Sequence, residues 1–484
     1  MITIYLIAMN KQIIPLTVLL LVLLTGCNQI TIDNPVPKVS DLRNELDDAI
    51  ITKSVKDNCD YSVSLEEARL FACCQRDEEV KSVQSISVKE GALLYICNYE
   101  NGWMVIAGDK RAKPILAESP IGQLNIDNAP EGIKVWIEVL ADDMLYFKEE
   151  SSFQDKSNTN IWSLFSPIDK QSAAQPEGRS VMKWYAINSV PTVTVINEYD
   201  EVPHLIPTKW GQGFPWNVKC PIDLSCNNRC YLGCTATAVA QLLFYTHFNF
   251  SKPNRLYHTI GCTYLTINSE TTNIGFYRND MYAYSNRWND MALNQYGTTT
   301  GIEYAGDLML DIGNRFNMKY SGEGSGANMH SYAMSNYYDL SYSSCSYDYS
   351  IVNTNLNDSI PVIVIAYSDI NFLGIPSSGH TWLIDGKHCI TRSYTYTKEF
   401  EYSENWIYYD EVYDTFDEIH QIYHIQDPSE QVEIVTTGVS SYLLMNWGYD
   451  GAYDNAYYSI GANDNWNANG GNHLYSRTIY YGFH

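Results

Sequence analysis

Cations are scarce in this 484-residue chain: 31 Lys and Arg stand against 56 Asp and Glu, for a formal net charge of −25. No run and no helical face gathers the few cations, so the positive surface that phosphate binding needs is missing, which argues against nucleic acid as a partner. The balance speaks for a soluble chain that tends to stay monomeric. Long apolar runs are lacking too. The best, Ile13 to Leu24, is too short to span a bilayer comfortably. His420 and His424 stand at i, i+4 without the Glu of a zincin motif, so they are read as surface residues rather than metal ligands. No repeat of solenoid type is present. What is abundant is aromatic: 39 Tyr and 11 Trp suit extended sheet and partner-binding surfaces alike.

The apolar stretch follows Asn10-Lys11 and closes on Leu24-Thr25-Gly26-Cys27, a targeting segment rather than part of the fold. The last four residues resemble the lipobox of bacterial lipoproteins, which implies a lipidated Cys27 as membrane anchor after cleavage. An ordinary signal peptide with an incidental Cys is the alternative. The expected location is the bacterial cell envelope, at the outer membrane or surface, with the protein retained there or released after processing. Export permits disulfides among the other cysteines. Cys220, Cys226 and Cys230 precede Cys234 closely, and a local disulfide there suits the oxidising compartment better than a zinc site, whose paired short spacing is absent. Cys59, Cys73, Cys74 and Cys97 either pair or are simply buried.

Residues 28–55 are polar and read as a tether. Ser64-x-x-Glu67 is a capping box ahead of an apolar run. Leu93 to Tyr99, Asn101-Gly102 and Trp103 to Ala107 read as a hairpin. Ile133, Trp136, Ile137, Leu140, Met144 and Phe147 recur at three and four residues, the period of an amphipathic helix. Together these make a small α+β domain over residues 56–150. Residues 151–200 turn polar and broken, as a processing linker would. Residues 201–484 form one further domain, with helices near Leu308 to Phe316 and Met329 to Tyr337, then strands from Pro361 to Tyr367 and Thr381 to Ile384.

The most informative residue is Cys234, in Gly233-Cys234-Thr235-Ala236-Thr237-Ala238-Val239-Ala240-Gln241. Small residues after it let a helix begin there, whose positive end favours thiolate over thiol. His380, in Ser378-Gly379-His380-Thr381-Trp382, is the candidate base, and Asn446, ahead of Trp447-Gly448, the candidate orienting residue. Asn446 also fits a purely structural part in a buried loop. Gln212, in Gly211-Gln212-Gly213-Phe214-Pro215-Trp216-Asn217, offers an amide for a developing oxyanion. Gln, Cys, His and Asn in that order match papain-like peptidases, although the papain signature around the Cys is absent.

These segments, with Leu308-Met309-Leu310-Asp311-Ile312-Gly313, resemble the streptopain family of secreted bacterial cysteine peptidases made as zymogens. Ala92 to Asp109 and Lys113-Pro114-Ile115-Leu116-Ala117 are similar to that family's prodomain. The resemblance implies an α+β fold: a papain-like domain of a helical and a β-rich half behind a small α+β prodomain that acts as an intramolecular inhibitor. It implies Cys234 as nucleophile, His380 as base, Gln212 as oxyanion donor, Asn446 and Trp447 as positioners of the His, protein or peptide substrates, and no cofactor or metal. Two departures stand out. The 66 positions from His380 to Asn446 exceed the family's short hairpin, so an insertion is expected near 387–440, with His388 and Cys389 packing at its start. The usual Asn-Trp-Gly-Trp-Gly-Gly string appears as Asn446-Trp447-Gly448-Tyr449-Asp450-Gly451. Gly470-Gly471-Asn472 would form the Gly-containing loop at the substrate groove. A transamidase using the same groups, and a catalytically silent adhesin, are the rival readings.

Overall fold

The computed structural model describes residues 29–30, 61–89, 91–149, 156–165, 180–188, 191–251, 260–267, 270–278, 285–291, 299–367, 379–410, 415–425, 431–436, 440–459 and 477–484. Cys27, Cys59, nearly all of the expected tether and Gly470-Gly471-Asn472 lie outside them, as do the side chains of His420 and His424.

The capping box forms as read: Ser64 Oγ accepts from Glu67 N at 3.1 Å, and Glu67 Oε2 accepts from Ser64 N at 2.9 Å. Two otherwise orphaned donors are thereby satisfied, and the helix Leu65–Arg76 starts there. Four strands, Ser82–Val88, Gly91–Asn98, Trp103–Ala107 and Ile115–Ser119, follow as an antiparallel meander. Alternation decides their faces. Tyr95, Cys97, Met104 and Ile106 pack with Phe71 of the first helix, whereas Leu94, Ile96 and Val105 pack with Ile133, Trp136, Ile137 and Leu140. The latter residues are the apolar stripe of the helix Glu131–Glu149.

This small sheet does not end at its own edge. Ala117 and Glu118 pair with Tyr458 and Tyr457, and the ladder continues through the strands Ser440–Asn446, Gly379–Asp410, Val362–Tyr367 and Arg477–Tyr481. The helix Glu131–Glu149 lies over the junction, its Trp136 and Leu140 sharing one core with Val364, Trp382, Ile384 and Trp447. Buried ion pairs cross it: Arg477 Nη2 to Asp143 Oδ1 at 2.7 Å, and Arg392 to Glu118.

The helical half is built around Cys234–Phe250, buried continuously from Thr235 to Thr246, as an apolar sequence with little polar face requires. It packs with Leu308, Met309 and Ile312 of the helix Thr299–Arg315. The helices Ser285–Asp290 and Ser331–Tyr338 add Trp288, Ala333 and Met334 to the same core, beside a hairpin, Ile260–Ile267 and Glu270–Arg278, that the sequence did not announce, whereas Val352 and Leu356 of the helix Tyr349–Asn357 pack into the other core.

Two expectations need correction. The stretch 151–200 is not simply broken chain: it holds the helix Lys156–Ser163 and the strands Ser180–Asn188 and Thr192–Val202. Trp162 and Phe165 each lie 4.8 Å from the Phe71 ring, which anchors this helix on the small domain. The strands form by pairing with the long strand Gly379–Asp410, which returns through Thr415–Ile425 and Gln431–Thr436. The insertion and the linker thus build one another's ladder, a long-range pairing of segments, SVMKWYAIN and TVTVINEYDEV, whose β-branched and aromatic residues suit strands. Nor do Cys220, Cys226 and Cys230 form a bridge: each is a free thiol, and burial raises Cys220 and Cys230 above the ordinary thiol value. Cys73 and Cys97 are free and buried as well.

Ser64→Ala should remove one arm of the capping box and lower stability by ~1 kcal/mol, read as a lower urea midpoint for the transition that reports the N-terminal sheet.

Candidate active site

Cys234 is the first residue of its helix, and Gly233 precedes it at φ 93°. A side chain at Gly233 is doubly disfavoured: φ lies in the region glycine tolerates, and a Cβ would come 2.6 Å from Met318 Cε and 3.0 Å from Ser325 O. The tight entry leaves the sulfur beside the helix N-terminus. His380 arrives from the other half. Its strand is fixed by the pairs Ala366 to His380 and Leu383 to Asn446, so the imidazole and the Asn446-Trp447 corner emerge side by side.

His380 is buried, and its Nε2 lies 3.2 Å from Trp447 O. A carbonyl only accepts, so Nε2 carries the proton and Nδ1 is left as acceptor. The ring stacks on Tyr449, with centroids 5.2 Å apart and planes 8° from parallel, and lies near-parallel to Trp382 at 6.1 Å. Burial alone would push the Cys234 thiol up, but the charge and hydrogen bond of His380, with hydrogen bonds from Thr381, hold it below the ordinary thiol value. Burial would likewise lower His380. Its charge and hydrogen-bond interactions with Cys234, the Trp447 carbonyl and Glu131 raise it instead. The two shifts oppose each other as an ion pair requires. Thr381 is held in turn by Thr235, with their hydroxyls 2.9 Å apart.

Gln212 is buried, and its carbonyl accepts from Leu232 N at 2.9 Å, which sets its loop against the segment leading into Cys234. Strand pairing brings Asn446 near His380, but its amide turns elsewhere. Its Nδ2 donates to Thr208 O at 2.9 Å and Gln241 Oε1 at 3.1 Å, and its Oδ1 accepts from Gln241 Nε2 at 3.0 Å and Gly448 N at 3.2 Å. Contact with the imidazole therefore runs through the Trp447 carbonyl. Gln241 Oε1 also accepts from Thr208 Oγ1 at 2.9 Å and Trp210 N at 3.1 Å, tying the Gln212 loop to the same corner. His388, at the start of the insertion, stacks on Tyr457 at 4.1 Å, and Cys389 is buried beside Ser441.

Sequence reading missed the groups that meet the site from the N-terminal domain. Gly132, in the first turn of the helix Glu131–Glu149, lies directly on the imidazole: a Cβ there would fall 2.3 Å from His380 Cδ2 and 2.5 Å from Nε2. Its N donates to Tyr449 Oη at 3.0 Å. A glycine inside a helical pattern was the available signal. Tyr449 stood out only as a departure from the family string.

A model of the Peptidase C10 family matches residues 210–458, and one described as Spi protease inhibitor matches residues 63–144. No curated protein matches the chain. Among solved structures, a fragment of Prevotella intermedia prointerpain A is 19% identical, with a TM-score of 0.46, and the alignment covers 82% of this chain and 98% of that one. The first match spans about half of the chain and takes in Gln212, Cys234, His380, Asn446 and Trp447, and the second coincides with the unit that carries Gly132. The chain belongs to the Peptidase C10 family, the streptopain family, as a cysteine-type endopeptidase made as a zymogen with an inhibitory prodomain.

Proposed function

We propose that Cys234 and His380 are the nucleophile and base of this peptidase, with Gln212 as oxyanion donor and Trp447, backed by Asn446, as positioner of the imidazole. The observation that carries the reading is geometric: Cys234 opens its helix, and His380 commits Nε2 to Trp447 O at 3.2 Å and so leaves Nδ1 for the thiol; the pull of His380 lowering Cys234, and that of Cys234 raising His380, agree with it. In this reading Nδ1 takes the thiol proton. The thiolate attacks the substrate carbonyl, and the Gln212 amide with the Cys234 N–H stabilises the tetrahedral oxyanion. The imidazolium passes its proton to the leaving amine as the C–N bond breaks. His380 then deprotonates water, which attacks the thioester, and the carboxylic acid product leaves as the thiol is restored. Neither step calls for a metal or an organic cofactor.

The prodomain keeps the site silent in this reading. Gly132 occupies the space over His380 that substrate would need, and the shared sheet and core hold it there. Activity requires its removal or displacement. We further infer that the chain is exported and lipidated at Cys27, on the bacterial cell envelope, a reading supported by the run Ile13 to Leu24 and the residues Leu24-Thr25-Gly26-Cys27.

After the prodomain is clipped off, Gln212→Ala should lower kcat by roughly 10²- to 10³-fold with little change in KM, and Cys234→Ala should abolish hydrolysis of a fluorogenic peptide. Activity unchanged in either variant contradicts the assignment. In the uncut chain, Gly132→Phe places a ring where His380 stands, an overpacking of about 1–3 kcal/mol. Casein hydrolysis by the unclipped protein should rise roughly tenfold or more, since 1.4 kcal/mol is a factor of ten. Metabolic labelling with palmitate in a bacterial host should be lost in Cys27→Ser.

A further inference from the structure

We propose that Asp454 and His204 are positioning residues for His380 that act through the main chain of Trp447, an inference that rests on reading His380 as the base. Trp447 is gripped on both sides of its Cα. Its carbonyl accepts from His380 Nε2, and its N–H donates to Asp454 Oδ1 at 3.2 Å. Fixing both flanking peptides fixes where the carbonyl points, and so where the imidazole turns its Nδ1.

Asp454 is only 4% exposed, and polar atoms so deeply buried persist only with partners, whether the group is charged or not. His204 supplies the next link. Its Nε2 lies 3.1 Å from the Asp454 carbonyl, and its Nδ1 lies 2.8 Å from Asp385 Oδ1. Both neighbours are acceptors, so the ring carries a proton on each nitrogen and is an imidazolium. Burial alone would lower His204, yet Asp385 and Asp454 raise it to about 9. Asp454 is pushed up to about 7 by burial and by Asp385, against the pull of the Trp447 N–H, His204 and Lys209, and Tyr458 also faces it.

The strand that carries His380 is built to reach this cluster. Its register against Ser440–Asn446 slips between Ile384 and Gly386, so Asp385 is the extra residue of a bulge. Bulges re-aim a side chain. Here the fully buried Asp385 carboxylate meets His204 and accepts from Ile206 N at 3.2 Å, while Asp385 O accepts from Leu205 N at 2.8 Å. His204 stands two residues past the end of the linker strand Thr192–Val202, after Pro203. The path runs from the first residues of the peptidase domain, through Asp385, His204, Asp454 and Trp447, to His380. None of these steps touches substrate.

The test is the rate of Cys234 alkylation by iodoacetamide from pH 4 to 10, on the full-length chain and its variants after identical clipping by an added protease, with peptide hydrolysis followed in parallel. The clipped wild type should alkylate well below the ordinary thiol pKa. Asp454→Ala should lose about one unit of that depression, so alkylation near pH 6 drops about tenfold while the rate at pH 10 is unchanged. Asp454→Asn keeps an acceptor for Trp447 N–H and should return to within about threefold of wild type on the same scale. His204→Gln, at a side chain a third exposed, carries the test if the alanine variant does not fold, and should shift the profile the same way. Profiles of both His204→Gln and the folded Asp454 variants that overlay the wild type overturn the inference. A wild type that shows no low-pH limb overturns instead the ion-pair reading on which it stands.

Discussion

The amide pair between Gln241 and Asn446 joins everything the site needs. Gln241 sits on the Cys234 helix, and its oxygen gathers Thr208 and Trp210 from the segment that leads to Gln212, while Asn446 opens the corner whose carbonyl orients His380. In the assignment proposed above, nucleophile, oxyanion loop and base therefore share one buried hydrogen-bonded node. Such a node is demanding because every member must be satisfied, and loss of one leaves the others stranded in a dry interior. It also explains how a helical half and a β-rich half, each with its own core, hold a thiol and an imidazole in register.

Inhibition uses the same economy of parts. The N-terminal sheet extends the peptidase sheet by strand addition at Ile115–Ser119, and the helix Glu131–Glu149 contributes its apolar stripe to a core that both units share. In the account proposed above, residue size then decides the outcome at one point. Gly132 lets the helix start come flush with the His380 ring, where any side chain would collide. Buried ion pairs, Arg477 with Asp143 and Arg392 with Glu118, make the docking specific as well as extensive, because removing one partner strands a charge.

Local signals carried far in the sequence. The capping box at Ser64, the hairpin around Asn101-Gly102 and the three-to-four spacing from Ile133 to Met144 each depend on neighbours within a few residues, and each matches the structure. That His380 meets Cys234 and the Trp447 carbonyl was legible for the same reason, since each stands in a short distinctive string. What stayed hidden depends on distant partners. Asn446 could be named, but the direction of its amide is set by Gln241, far back in the chain. The strands Ser180–Asn188 and Thr192–Val202 carry β-branched and aromatic residues of their own, but the polar stretches around them hide that signal, and their ladder comes from the distant insertion. Gly132 over His380, and Asp385 bulged toward His204, are products of docking and register that no local pattern encodes.

The most direct measurement is active-site labelling of the full chain by the epoxide inhibitor E-64, with the modified residue located by mass spectrometry before and after limited proteolysis between the prodomain and the peptidase domain. A complete but covered site predicts no adduct in the uncut chain and a single adduct on Cys234 once the prodomain is released. Labelling of Cys234 in the uncut chain would contradict the cover. Failure to label it after release would contradict the site itself.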